Sequence, residues 1–128
     1  MNQTSLRKKK ILVIEDDPVT VRLLARRLEC NGYDVVVAMD GLAGIEMARR
    51  ERPDLITLDI MLPEVNGYTV CSFLKTSENY RAIPIIIVTM RNGDHDHVFD
   101  ESVQPEGYFT KPFDMKELLT EIHHLVGA

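Results

Sequence analysis

An open α/β fold, a five-stranded parallel sheet with helices on both faces, is predicted for this chain by three observations. Short β-branched runs alternate with helical patterns along the whole sequence. Runs such as Ile85-Ile86-Ile87-Val88 are apolar on both faces, as strands covered from each side must be. Five such units fit into 128 residues with no repeat, linker or low-complexity segment, and right-handed crossovers wind them into a doubly wound sheet. Residues 1–9 are read as an N-terminal lead-in and residues 10–128 as one domain.

The elements follow in order. Lys10 to Ile14 reads as strand one, preceded by the basic Arg7-Lys8-Lys9-Lys10, a solvated entry to the sheet. Asp17-Pro18 opens the first helix with a cap and a proline at its first position; Gly32 closes it. Within it Val21, Leu24, Ala25 and Leu28 recur at the spacing of one apolar face. Tyr33 to Ala38 is strand two, and Leu42, Ile45 and Ala48 mark helix two. Asp54 to Leu58 is strand three, followed by helix three through Val70, Phe73 and Leu74. Pro84 to Val88 is strand four and Gly107 to Thr110 a weaker strand five. Met115, Leu118, Leu119, Ile122 and Val126 line the last helix.

Composition narrows the function classes. The chain is 45% hydrophobic and 27% charged, a balance able to bury a core without disulfide or metal. Cys30 and Cys71 lack metal-ligand spacing and read as reduced thiols of a cytoplasmic protein. No apolar run reaches the roughly 20 residues that span a bilayer, and no signal-peptide core is visible, so no membrane association is expected. A net charge of −5 argues against direct nucleic-acid binding by this domain.

In doubly wound sheets the ligand site lies beyond the carboxyl ends of the strands. Strand one delivers Glu15 and Asp16 there, strand three Asp59, strand four Thr89 and strand five Lys111. Gathered carboxylates repel one another and require a cation. Carboxylates, a phosphate and waters are the usual company of Mg²⁺. Lys111 adds a second positive charge, and Thr89 a hydroxyl able to bond an anionic oxygen. Such a set lets a carboxylate attack phosphorus, with Asp59 the candidate nucleophile.

Ile11-Leu12-Val13-Ile14-Glu15-Asp16-Asp17, Leu58-Asp59-Ile60-Met61-Leu62-Pro63 with Asn66-Gly67, Val88-Thr89, and Gly107-Tyr108-Phe109-Thr110-Lys111-Pro112-Phe113 stand in order along the chain. Together they resemble the receiver domain of two-component response regulators, from about Lys10 to Val126. The resemblance implies a flavodoxin-like strand order 2-1-3-4-5. It implies that Asp59 accepts phosphate from a histidine kinase or histidine phosphotransfer protein. Mg²⁺ would be held by Glu15, Asp16, the Asp59 carboxylate and the backbone carbonyl of Met61. Lys111 would pair with the phosphoryl group, Thr89 would move to bond it, and Tyr108 resembles the aromatic whose rotamer follows. Lys111-Pro112 resembles the family's cis peptide. The output would be a downstream protein target or a fused output domain, with homodimerisation an option.

The chain also departs from the family's pattern. Met90 follows Thr89 where a small residue is usual, and Met61 and Arg91 hold positions that tune dephosphorylation; neither side chain orients water well. A long-lived aspartyl phosphate is therefore expected. Between strands four and five, Arg91 to Glu106 offers Val98, Phe99 and Val103 as its large apolar residues, in no helical stripe. The family's fourth helix is expected to be irregular or shortened there, and Asp94-His95-Asp96-His97 reads as a solvated loop. His123 and His124 suit the negative end of the last helix. Asp17 reads as a cap rather than a ligand.

Three other readings compete with this one. A flavodoxin-type electron carrier needs a phosphate-binding loop where Glu15-Asp16-Asp17 would repel it. A haloacid-dehalogenase-type phosphatase usually has an acid where Met61 stands. A pseudo-receiver would keep the fold as a phosphorylation-independent protein-binding module, against which Asp59, Thr89 and Lys111 speak.

Overall fold

A computed structural model describes residues 7–90 and 104–127. The irregular fourth helix expected between strands four and five, together with Arg91 and the Asp-His run, lies outside the described residues.

Five strands, β1 (Lys10–Ile14), β2 (Asp34–Ala38), β3 (Leu55–Leu58), β4 (Ile85–Thr89) and β5 (Gly107–Thr110), form one sheet in the order β2-β1-β3-β4-β5. All four pairings are parallel. Four helices are described: α1 (Pro18–Cys30), α2 (Gly41–Glu51), α3 (Gly67–Thr76) and α4 (Met115–Val126). The expected strand order is thus observed.

Because side chains alternate across a strand, each strand feeds two cores. Leu12, Ile14, Ile56, Leu58, Ile85 and Ile87 pack with Ala48, Val70 and Leu74 on the α2–α3 side. Ile11, Val13, Leu55, Ile86 and Val88 pack with Leu24, Leu28, Leu118 and Ile122 on the α1–α4 side. This two-sided burial is why the strand sequences are continuously apolar rather than alternating. Truncating one of these Leu or Ile side chains to alanine typically costs about 2–5 kcal/mol.

Each described helix start is fixed by a side-chain cap. Asp17 accepts from the Thr20 amide at 3.1 Å and its hydroxyl at 2.6 Å. Asp40 accepts from Ala43 N–H at 2.8 Å, Asn66 from Thr69 N–H at 3.1 Å, and Asp114 from Lys116 N–H at 2.8 Å. Pro18 stands at the start of α1 and Gly32, at φ 93°, just past its end, as read from sequence. The far end of α4 is moored by the buried Tyr33, whose hydroxyl donates to the Gly127 carbonyl at 3.0 Å.

Two apolar positions differ from expectation. Leu42 is 63% exposed and Phe73 46% exposed. Helix α2 instead buries Gly41, Gly44 and Ala48. A Cβ on Gly44 would lie 2.6 Å from Ile14 Cδ1, so the helix approaches β1 through a glycine, which no count of large apolar residues registers. Phe73 turns outward against Tyr80, ring centroids 6.3 Å apart.

Candidate functional site

The carboxyl rim of the sheet is extended one step by backbone bonds beyond the strands. Glu15 N–H donates to Ala38 C=O at 3.0 Å, Asp59 N–H to Ile14 C=O at 3.0 Å, and Lys111 N–H to Thr89 C=O at 2.8 Å. These bonds bring three distant stretches of sequence level with one another. Lys111 Nζ then stands 2.8 Å from Glu15 Oε1 and 3.3 Å from Asp59 Oδ2. The second Asp59 oxygen accepts the Met61 amide at 2.9 Å, and the second Glu15 oxygen the Asp17 amide at 3.1 Å. Lys111-Pro112 is cis, as expected.

Glu15 and Asp59 are buried and Asp16 is exposed. One carboxylate oxygen from each of Glu15, Asp16 and Asp59 lies within 4.8 Å of the others. The Glu15 carboxyl is pushed up to about 7, chiefly by burial with the neighbouring Asp59 charge adding to it, while the Lys111 ammonium and the Asp17 amide oppose the rise. Burial alone would lower Lys111, but the bond it donates to Glu15 and the charge of Asp59 together outweigh this and hold it above the ordinary lysine value. The Thr20 hydroxyl and amide lower the Asp17 carboxyl, in keeping with a cap.

The cluster opens into a cavity of about 440 Å³ lined by these acids, Lys111, Met61, Met90 and Pro112. Thr89, fully buried, and Tyr108, half-buried, sit behind this lining in the sheet, where Thr89 pairs with Thr110 and Tyr108 with Ile87. Gly67, the start of α3, is one contributor whose reason was invisible in sequence. A Cβ there would meet Asp59 O at 2.4 Å and Ile60 Cα at 2.5 Å, and Gly67 N–H donates to Ile60 C=O at 2.8 Å. The loop after β3 is folded tightly back onto the backbone of the acid that precedes it.

Residues 11–123 match the response regulator receiver domain family. The chain belongs to that family. Among curated relatives this receiver is 40% identical over 91% of its length to the DNA-binding dual master transcriptional regulator RpaA of Synechocystis, covering 48% of that protein. It is 37% identical over 91% of its length to the response regulator PleD of Caulobacter vibrioides, covering 26% of it. The receiver spans about half or less of the curated relatives it matches. Among solved structures, the receiver domain of the sensor histidine kinase PA1611 from Pseudomonas aeruginosa, with magnesium coordinated in its active-site cleft, superposes with a TM-score of 0.84 at 30% identity, covering 95% of this chain and 100% of that one. Among the described residues no helix is long and apolar enough to cross a membrane.

Proposed function

We propose that this receiver accepts a phosphoryl group on Asp59 from the phosphohistidine of a histidine kinase or phosphotransfer protein, in a Mg²⁺-dependent reaction. The observation that carries this reading is the gathering of three carboxylates, two of them bonded to one ammonium. Such a surplus of negative charge calls for a second cation. The donor set, all oxygen and close together, fits Mg²⁺. Glu15, Asp16, Asp59 and the Met61 carbonyl would hold the ion. When bound, it would screen the charge between the acceptor carboxylate and the incoming phosphoryl group.

This chain's own groups then have distinct tasks. The Met61 amide orients one Asp59 oxygen, leaving the other toward Lys111. In transfer an Asp59 oxygen attacks phosphorus, the P–N bond to the donor histidine breaks, and the imidazole leaves with the bonding pair. Lys111 exchanges carboxylate for phosphoryl oxygen, and the Thr89 hydroxyl closes on the new anion with Tyr108 following. The output is a changed partner-binding face that acts on a downstream protein or a fused output domain, with homodimerisation one route. The cytoplasm is the expected compartment, and direct nucleic-acid contact is assigned to other parts of such proteins.

The test is incubation with Mg²⁺ and acetyl phosphate followed by intact-mass measurement. Wild type should gain one phosphoryl group and Asp59→Asn none. Labelling of the variant would discredit Asp59 as acceptor, and labelling of neither would favour a phosphorylation-independent binding module.

A further inference from the structure

The mouth of the acidic cavity is apolar in a particular way. Met61 is 58% exposed and Met90 71% exposed, and both line the cavity that holds Asp59. By contrast, Met47 and Met115 are half-buried against the two cores. Met39 is 45% exposed at the end of β2 and does not line the cavity. Exposed side chains contribute little to stability, so the two methionines at the mouth are not explained by packing. They share the lining of the cavity through which Asp59 meets solvent. A thioether is a weak acceptor and holds water poorly, whereas its sulfoxide is polar and strongly accepting.

We infer that Met61 and Met90 form a peroxide-sensitive modification site that governs how readily water reaches phosphorylated Asp59; this rests on the reading of Asp59 as phosphoacceptor. The modifying reagent is hydrogen peroxide. A sulfur lone pair attacks the terminal peroxide oxygen, the O–O bond breaks, an S–O bond forms and water is released; sulfur loses two electrons and the peroxide gains them. The sulfoxide oxygen then holds water at the mouth. Water attacks phosphorus, the P–O bond to Asp59 breaks, and the carboxylate and inorganic phosphate separate. Oxidation shortens the life of the phosphorylated state; the reduced thioethers prolong it.

The experiment uses the full chain in a Cys30→Ser background, so that this exposed thiol adds no oxygen mass. Protein is treated with hydrogen peroxide, oxidised residues are assigned by peptide mass, and the sample is loaded with acetyl phosphate and Mg²⁺. After donor removal, loss of the label is followed by intact mass. Met90 and Met61 should oxidise ahead of Met47 and Met115, and the oxidised protein should lose its label about three-fold faster or more. Methionine sulfoxide reductases should restore the slow decay. A Met61→Leu/Met90→Leu double variant, whatever its own decay rate, should keep that rate after peroxide. Equal oxidation of Met47, equal decay of treated and untreated protein, or a peroxide response in the double variant would each overturn the inference. Failure of untreated protein to label would overturn the phosphoacceptor reading and this inference with it; failure confined to the treated sample strikes the methionines alone.

Discussion

Opposite ends of the sheet each carry a mostly buried lysine bonded to a carboxylate, and the two lysines do different things. At the amino end Lys75 Nζ reaches Glu106 at 2.8 Å, Arg81 C=O at 3.0 Å and Ile83 C=O at 3.2 Å. The other Glu106 oxygen accepts Ile85 N–H at 2.8 Å. Three donors meet three acceptors, and one positive charge meets one negative. At the carboxyl end one ammonium, Lys111, faces Glu15 and Asp59 with Asp16 close by. There the charges do not balance. A buried ion pair is common to structure and chemistry; the leftover charge tells them apart.

The sharpest way to break this contrast is at Gly67, where an added methyl meets backbone at 2.4 and 2.5 Å. Gly67→Ala should cost about 3 kcal/mol in urea unfolding, the upper range for overpacking, and should slow Asp59 labelling as well, because the displaced loop carries the Met61 amide. A stable, fully active variant would show that the loop geometry is dispensable.

Next come the two lysines themselves. Lys75→Met should lose about 2 kcal/mol, less than a fully buried pair because Glu106 is partly open to solvent, and Mg²⁺ should not restore it. Lys111→Met should also lose stability in metal-free buffer, since Glu15 and Asp59 then face each other without a cation. Part of that loss should return with Mg²⁺. Thermal melts of both variants with and without the ion decide the matter, and equal responses would erase the distinction between the ends.

A smaller effect is expected in wild type. Ten times its dissociation constant of Mg²⁺ should add about 1.4 kcal/mol of stability, and Asp59→Asn should diminish that gain. An unaltered gain would place the ion elsewhere.

The smallest test concerns the thiols, both remote from the acidic cavity. Burial pushes Cys71 up to about 12, leaving a thiolate fraction of about 10⁻⁴ at pH 8, while Cys30 is exposed. Iodoacetamide should modify one thiol in the native chain and two after unfolding. The folded value is raised, so the stabilising contribution of the buried thiol is complete below the ordinary thiol range of about 8.5. It is lost as pH climbs through about 12. Alkaline melts should reveal this decline, and its absence in Cys71→Ala would assign it.

Much of this architecture was readable from residues alone. Strand β1 and strand β5 begin and end where expected, β2 and β3 each start one residue later, and β4 moves by one residue at both ends. Buried parallel strands announce themselves through uninterrupted branched side chains, and Asp17-Pro18 announced a helix start. The acids and Lys111 could be proposed together because strand ends converge on one rim. What sequence concealed was carried by small or polar residues whose partners are remote. The closeness of α2 to β1 depends on Gly44 lacking a side chain, and that of α3 to Asp59 on Gly67. The Lys75–Glu106 network joins residues 31 apart with backbone carbonyls, a pairing with no periodicity to betray it. Leu42 and Phe73 misled because they are large and apolar yet face solvent.

The bond from Lys111 N–H to Thr89 C=O continues the β4–β5 ladder past the last strand residues. Those two backbones are therefore stapled together at the very place where a phosphoryl group would be sensed. Sliding one strand along its neighbour would have to break that staple first. On the proposed reading, the response to phosphorylation would then begin as rotation about a side-chain bond, a torsional trigger on a fixed frame.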